Sequence, residues 1–75
     1  MTTVDKLVIA ANEGKKHLKL GHHRMEQNDK SIKFIYWGTT ICHIDKATSK
    51  TTYSTGGYDT TSTKRAINAY KKYFG

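Results

Sequence analysis

The spacing of apolar positions changes twice along the chain. Val4, Leu7, Val8 and Ala11 recur at i, i+3, i+4 and i+7, one face of a helix predicted over residues 2–13. Thr2 with Asp5 three residues on reads as a capping box, and Gly14 supplies a left-handed stop. From Lys16 to Thr55 the period shortens to two. Leu18 and Leu20 flank Lys19, Arg24-Met25-Glu26 continues that strand past Gly21, and Gln27-Asn28-Asp29-Lys30 has turn chemistry. Ile32, Phe34 and Tyr36 then face one way, with Lys33, Ile35 and Trp37 the other, in a segment rich in aromatic and β-branched residues. Gly38-Thr39 closes a hairpin, Thr40 to Ile44 returns as a third strand, Asp45 to Lys50 is a polar loop, and Thr51 to Thr55 is a short fourth strand. Gly56-Gly57 ends the sheet. Over residues 62–74 the helical period returns, with Ala66, Ile67, Tyr70, Tyr73 and Phe74 on one face and Lys64, Arg65, Asn68, Lys71 and Lys72 on the other. The pattern predicts an α+β fold: an antiparallel sheet of three to four strands flanked by an N-terminal and a C-terminal helix, with Tyr70 and Phe74 buried against the sheet.

Seventy-five residues make one domain, 1–75, with a thin core. Any site belongs on a surface, in a shallow groove or between two copies of a homodimer. Only 36% of the residues are hydrophobic, but eight aromatics (one Trp, five Tyr, two Phe) supply large buried areas. Charge changes the picture most. Thirteen Lys and Arg against six Asp and Glu give +7, a balance that attracts nucleic acid or acidic protein surfaces. No apolar run approaches the roughly 20 residues of a membrane span, so no membrane partner is expected. Cys42 is the only cysteine; it excludes an internal disulfide, fits a reducing cytoplasm, and sits between Ile41 and Ile44 as core filling. His17, His22, His23 and His43 lack zinc-like spacing, so no metal and no cofactor is expected.

Two clusters are the candidate binding residues for nucleic acid or another acidic partner. At the final helix, Thr60, Thr61 and Ser62 offer hydroxyls beside the free N–H groups of the first turn, after the flexible Gly56-Gly57 pair. Lys64 and Arg65 oppose the helix dipole there, a conflict an anion would relieve, while Asn68, Lys71 and Lys72 extend the cationic face. The same residues also read as an ordinary hydroxyl cap leading into a solvated basic face. The second cluster is a cationic ribbon, Lys15, Lys16, His17, Lys19, His22, His23 and Arg24, beside aromatics such as Trp37 and Tyr53 able to stack on bases. Its plain alternative is an edge strand that uses charge to avoid unwanted pairing.

Two resemblances bear on function. Leu20-Gly21-His22-His23-Arg24 resembles the Gly-Ser-His strand of HicA-type mRNA-cleaving toxins, without the serine; the likeness implies His22 or His23 as a general acid or base. Tyr36 to Asp45 and Gly56 to Tyr70 resemble a family of small, uncharacterised phage and prophage proteins. That family pairs a Gly-Asn-x-Ile-Ala-x-Ile-Asp hairpin with a Gly-Gly-Tyr/Trp-x-Thr-x-Thr-Thr-Lys-x-Arg-Ile-Asn-Ala helix start. Thr39 stands at the family's Asn position, and Lys64-Arg65 lies in a slightly shifted register. This resemblance implies a viral origin and brings no activity. The leading expectation is a non-enzymatic accessory protein of the host cytoplasm, binding nucleic acid or a complex that handles it. The alternatives are an inhibitor that occupies the acidic groove of a host defence, replication or transcription factor, and a ribonuclease toxin.

Overall fold

Helix α1 (Thr3–Asn12) begins at the expected capping box. The Asp5 backbone N–H donates to the Thr2 hydroxyl (3.2 Å) and the Thr2 N–H to the Asp5 carboxylate (3.0 Å), satisfying two donors that the helix itself cannot. At its other end Gly14 takes φ +84°, and the N–H groups of Gly14 and Lys15 return to the carbonyls of Ala11 and Ala10. In this computed structural model, which describes residues 2–57 and 59–75, five strands follow: β1 (His17–Leu20), β2 (His23–Gln27), β3 (Ser31–Tyr36), β4 (Thr39–Asp45) and β5 (Lys50–Tyr53). They pair in chain order as one antiparallel meander. Helix α2 (Thr61–Phe74) closes the chain, capped by Thr60. The α+β class and the two flanking helices are as the periodicity predicts, but the sheet has five strands rather than three to four.

The difference arises at Gly21-His22. Leu20 pairs with His23, so these two residues form a tight turn and what reads as one strand from Lys16 to Glu26 is a hairpin. Gly21, at φ +63°, occupies the first central position, where a type II′ turn requires the left-handed region that glycine reaches without strain. Asn28 builds the next turn by accepting from the N–H groups of Lys30 and Ser31 (2.8 and 2.9 Å).

Strand alternation sorts the sheet into two unlike faces. Leu18, Met25, Phe34, Cys42 and Tyr53 lie in one cross-strand row beneath the helices, with Ile32 and Ile44 in the next. A bulge between β3 and β4 inserts Ile41 next to Cys42, and both consecutive side chains enter the core, 1% and 0% exposed. Cys42 is thus core filling, and burial pushes its thiol up to about 12. Helix α1 lies over β1 and β2 and supplies Val4, Leu7, Val8, Ala10 and Ala11; α2 lies over β4 and supplies Ala66, Ile67 and Tyr70. Tyr70 is fully buried with its ring 4.5 Å from Phe34, and Phe74 is half-buried 5.7 Å from the same ring. Tyr73 departs from the expected apolar face: it is 49% exposed, and its hydroxyl donates to the Asp5 carboxylate, tying α2 to the start of α1. That bond, and then the Thr2 N–H, hold the Asp5 carboxyl below its ordinary value. The connection from α1 to β1 is fastened by Gln27, whose amide donates to the carbonyls of Ala11 (3.0 Å) and Lys15 (2.5 Å).

Both helices occupy one face, and among the described residues no helix or strand covers the other face of the sheet. None of the described helices is long and apolar enough to cross a membrane.

Candidate functional site

The open face of the sheet is built from the strand positions that alternate with the core. Across the strands, one row reads Lys19, Arg24, Ile35, Thr40, and the next His17, Glu26, Lys33, His43, Thr52; Asp45 and Lys50 pair beyond them. Four permanent cations and two histidines therefore share this face with two carboxylates. Arg24 Nε stands 3.4 Å from Glu26 Oε2, an exposed pair worth little in stability that nonetheless steers the guanidinium along the strand.

At one end of this face two hairpin turns lie side by side. Tyr36 pairs with Thr39, so the two-residue turn is Trp37-Gly38, one position earlier than Gly38-Thr39. Both central residues have positive φ, +52° at Trp37 and +76° at Gly38, the signature of a type I′ turn. Asn or Gly normally fills the first of these positions; for a bulky residue the left-handed region costs about 1–2 kcal/mol. The Trp37 N–H donates to the His22 carbonyl (3.0 Å), and the two rings stack with centroids 3.5 Å apart and planes 16° from parallel. Trp37 nevertheless remains 64% exposed, the most exposed large apolar side chain among the described residues.

Below this pair lies a shallow hollow of about 230 Å³, lined by Lys19, His22, Arg24, Ile35 and Trp37 with Gly21 and Gly38. Its floor is Ile35, 5% exposed although it sits on the side of the sheet away from the helices. The hollow thus combines an apolar floor, a flat aromatic wall and two cations. Those are the elements that hold a base by stacking and its phosphate by charge.

The fold separates the candidate residues that the sequence groups together. The cationic ribbon is folded back on itself. Lys19 and Arg24 face each other on the open face; Lys15 and Lys16 lie at the opposite end of β1 from Trp37, exposed in the connection from α1. His23 turns toward Tyr36, ring centroids 4.5 Å apart. On α2, Lys64, Arg65, Asn68, Lys71 and Lys72 are all exposed, on the other side of the molecule from Lys19 and Arg24. Of these, Lys64, Asn68 and Lys71 line a groove of about 330 Å³ with Tyr53, Ser54, Thr55 and Ile67. Lys71 Nζ lies 5.4 Å from the centre of the Tyr53 ring. Thr60 caps α2, its hydroxyl accepting from the Thr63 N–H (3.2 Å); Thr61 and Ser62 are exposed in the first turn. Tyr58, part of the run read as the helix start, lies outside the described residues.

Sequence reasoning missed Lys33, which shares the open face with Arg24, and Ile35 as the floor of the hollow. The signal for both is register: once the Asn28 turn is fixed, pairing of Met25 with Phe34 puts Lys33 and Ile35 on the outward face. No family model, curated protein or solved structure matches the chain.

His23 gives the fold a pH dependence. Burial, and then the neighbouring charge of His22, lower its pKa from the usual 6.5. The unfolded chain therefore binds this proton first on acidification. The associated stability is fully present above about pH 6.5 and is lost as pH falls through the folded value. The melting temperature should fall between about pH 7 and pH 5, and His23→Gln should flatten that slope. An unchanged slope in the variant would assign the loss to other groups.

Proposed function

We propose that this protein is a non-enzymatic accessory factor that binds single-stranded nucleic acid across the open face of its sheet. Trp37 and His22 form the stacking platform, and Lys19, Arg24 and Lys33 neutralise phosphates. The observation that carries this reading is Trp37, a large aromatic held exposed in a left-handed turn, beside two cations and over an apolar floor. A turn that served only to reverse the chain would take Asn or Gly there. Strained backbone at a surface aromatic is instead the mark of a position kept for what its side chain contacts. A flat aromatic favours single strands, whose bases are free to stack, over a duplex, whose bases are already stacked. The resemblance to small phage proteins agrees with an accessory role in the host cytoplasm.

Trp37 is the only tryptophan, so its fluorescence reports on the site directly. Titration with a mixed-sequence single-stranded oligonucleotide should quench it. The log–log dependence of affinity on salt should have a slope of about −2 to −3, as expected for three to four phosphate contacts on a single strand. Lys19→Glu with Arg24→Glu should abolish the quenching while the protein stays folded, because both side chains point away from the core. No quenching at low salt, or affinity indifferent to salt, would refute the reading. Capture of an acidic protein by the same face in that case would move the function to inhibition of a host factor.

A further inference from the structure

Two cationic surfaces on opposite sides of so small a molecule raise the question of whether one ligand reaches both. The depressions between them share lining residues. Trp37 is a wall of the hollow on the open face and also lines a second groove, of about 410 Å³, with Tyr36, Thr39, Ile41, Thr55 and Thr63. Thr55 in turn lines the groove between β5 and α2 that holds Lys64, Asn68 and Lys71. Two shared residues thus set three neighbouring depressions in a row, as a belt. It runs from the sheet face, over the β3–β4 turn, past the start of α2, to the far flank of that helix.

The chemistry along the belt alternates. Lys19 and Arg24 stand at one end and Lys64 and Lys71 at the other, with an aromatic, Trp37 or Tyr53, beside each pair. Between them the middle groove has no charged side chain among its described lining residues. It has an apolar wall of Tyr36 and Ile41 and the side chains of Thr39 and Thr55, with Thr60 and Thr63, whose hydroxyls bond to each other (2.9 Å), at the start of α2. At the far end, Lys64 and Lys71 are the charged residues of the described lining, and no acidic residue is among them.

We infer that one nucleic-acid strand follows this belt, bending around Trp37 so that bases occupy the middle groove and phosphates are neutralised at both ends. This rests on the sheet-face reading above and extends it: Lys64 and Lys71 belong to the same binding site as Lys19 and Arg24, and the wrapped strand must be long enough to reach both. A charge-complementary occupant that is long, flexible and alternates flat apolar groups with anions matches the order of surfaces along the belt.

Length is the discriminating variable. Single-stranded oligothymidylates of about five and about fifteen nucleotides bracket the site sizes of small single-strand-binding domains. Both should quench Trp37 in the wild type, the longer one binding more tightly and with the steeper salt slope. Lys64→Glu with Lys71→Glu should weaken the longer oligonucleotide by roughly tenfold or more and lower its salt slope by about 1–2, leaving the shorter one unchanged. A melting curve of the variant, and the milder Lys64→Ala with Lys71→Ala pair, separate lost contacts from lost folding. In addition, a photoreactive base at the end of the longer strand should cross-link to the segment from Tyr53 to Lys71. If both lengths bind and the variants treat them alike, with cross-links confined to the sheet face, the wrapped path is wrong and the sheet-face site stands. If neither length binds the wild type, both fall together.

Discussion

Tyr70→Ala should leave the domain unfolded or barely folded, with a loss of about 3–5 kcal/mol, the range for removing a large aromatic from a close-packed core. Tyr70 is the largest side chain with no exposure, and its ring meets Phe34 at 4.5 Å, tilted by 32°, a close aromatic contact within the packed core. It also joins the layers, since α2 reaches the centre of the sheet through it. A 75-residue domain has roughly 5 kcal/mol in total to lose, so one such cavity consumes most of its margin. Tyr70→Phe separates the ring from the hydroxyl. That hydroxyl is buried without a hydrogen-bond partner among the described residues, and burial raises its pKa far above the ordinary tyrosine value. Removing a buried hydroxyl that makes no bond releases its desolvation cost, so Tyr70→Phe should equal the wild type or exceed it by about 1 kcal/mol. Urea unfolding of the two variants is the measurement. A Tyr70→Phe loss as large as that of Tyr70→Ala would mean that the hydroxyl, rather than the ring, anchors the helix.

The ends of the fold were more legible than its middle, for physical reasons visible at single residues. Helix signals are local: the Thr2–Asp5 box, Gly14 and the spacing of Ile67, Tyr70 and Phe74 specify α1 and α2 without reference to the rest of the chain. Tyr73 escaped because it sits at the border of the apolar stripe. Its side chain was decided by a partner 68 residues away, Asp5, which no local pattern contains. The sheet has a strand more than the pattern suggests because no apolar residue stands between Leu20 and Met25 to mark the reversal; Gly21 in the first turn position is the local signal for it. The bulge at Ile41 was invisible for a related reason: two adjacent buried residues contradict strict alternation and are explained only by the register of the partner strand. Of the candidate binding residues, exposure was legible from charge, but grouping was not. Lys19 and Arg24 are neighbours because of the hairpin, and Lys64 and Lys71 share a groove with Tyr53 because α2 packs over β4, next to β5, both consequences of tertiary pairing.

The decisive variant for function is Trp37→Asn, because scaffold and site call for opposite residues at that position. Asparagine tolerates the left-handed region, and Asn-Gly is among the preferred pairs for a type I′ turn, so the substitution relieves backbone strain of about 1–2 kcal/mol. Against this stands the loss of the His22 stack, about 0.5–1.5 kcal/mol. The variant should therefore melt at the wild-type temperature or slightly above it. Its binding should move the other way. Stacking of a base on an aromatic side chain is worth about 1–3 kcal/mol, so the affinity for a single strand should fall roughly ten- to a hundredfold. Fluorescence is lost with the only tryptophan, and the comparison is made with a dye-labelled oligonucleotide by anisotropy. Equal stability with weakened binding is the pattern of a residue kept for its ligand at the expense of its turn. Equal binding would reduce Trp37 to an unfavourable turn residue and remove the observation on which the proposed site rests. A variant that melts well below the wild type would mean that the Trp37–His22 stack clamps the two hairpins together, making the exposed tryptophan part of the scaffold.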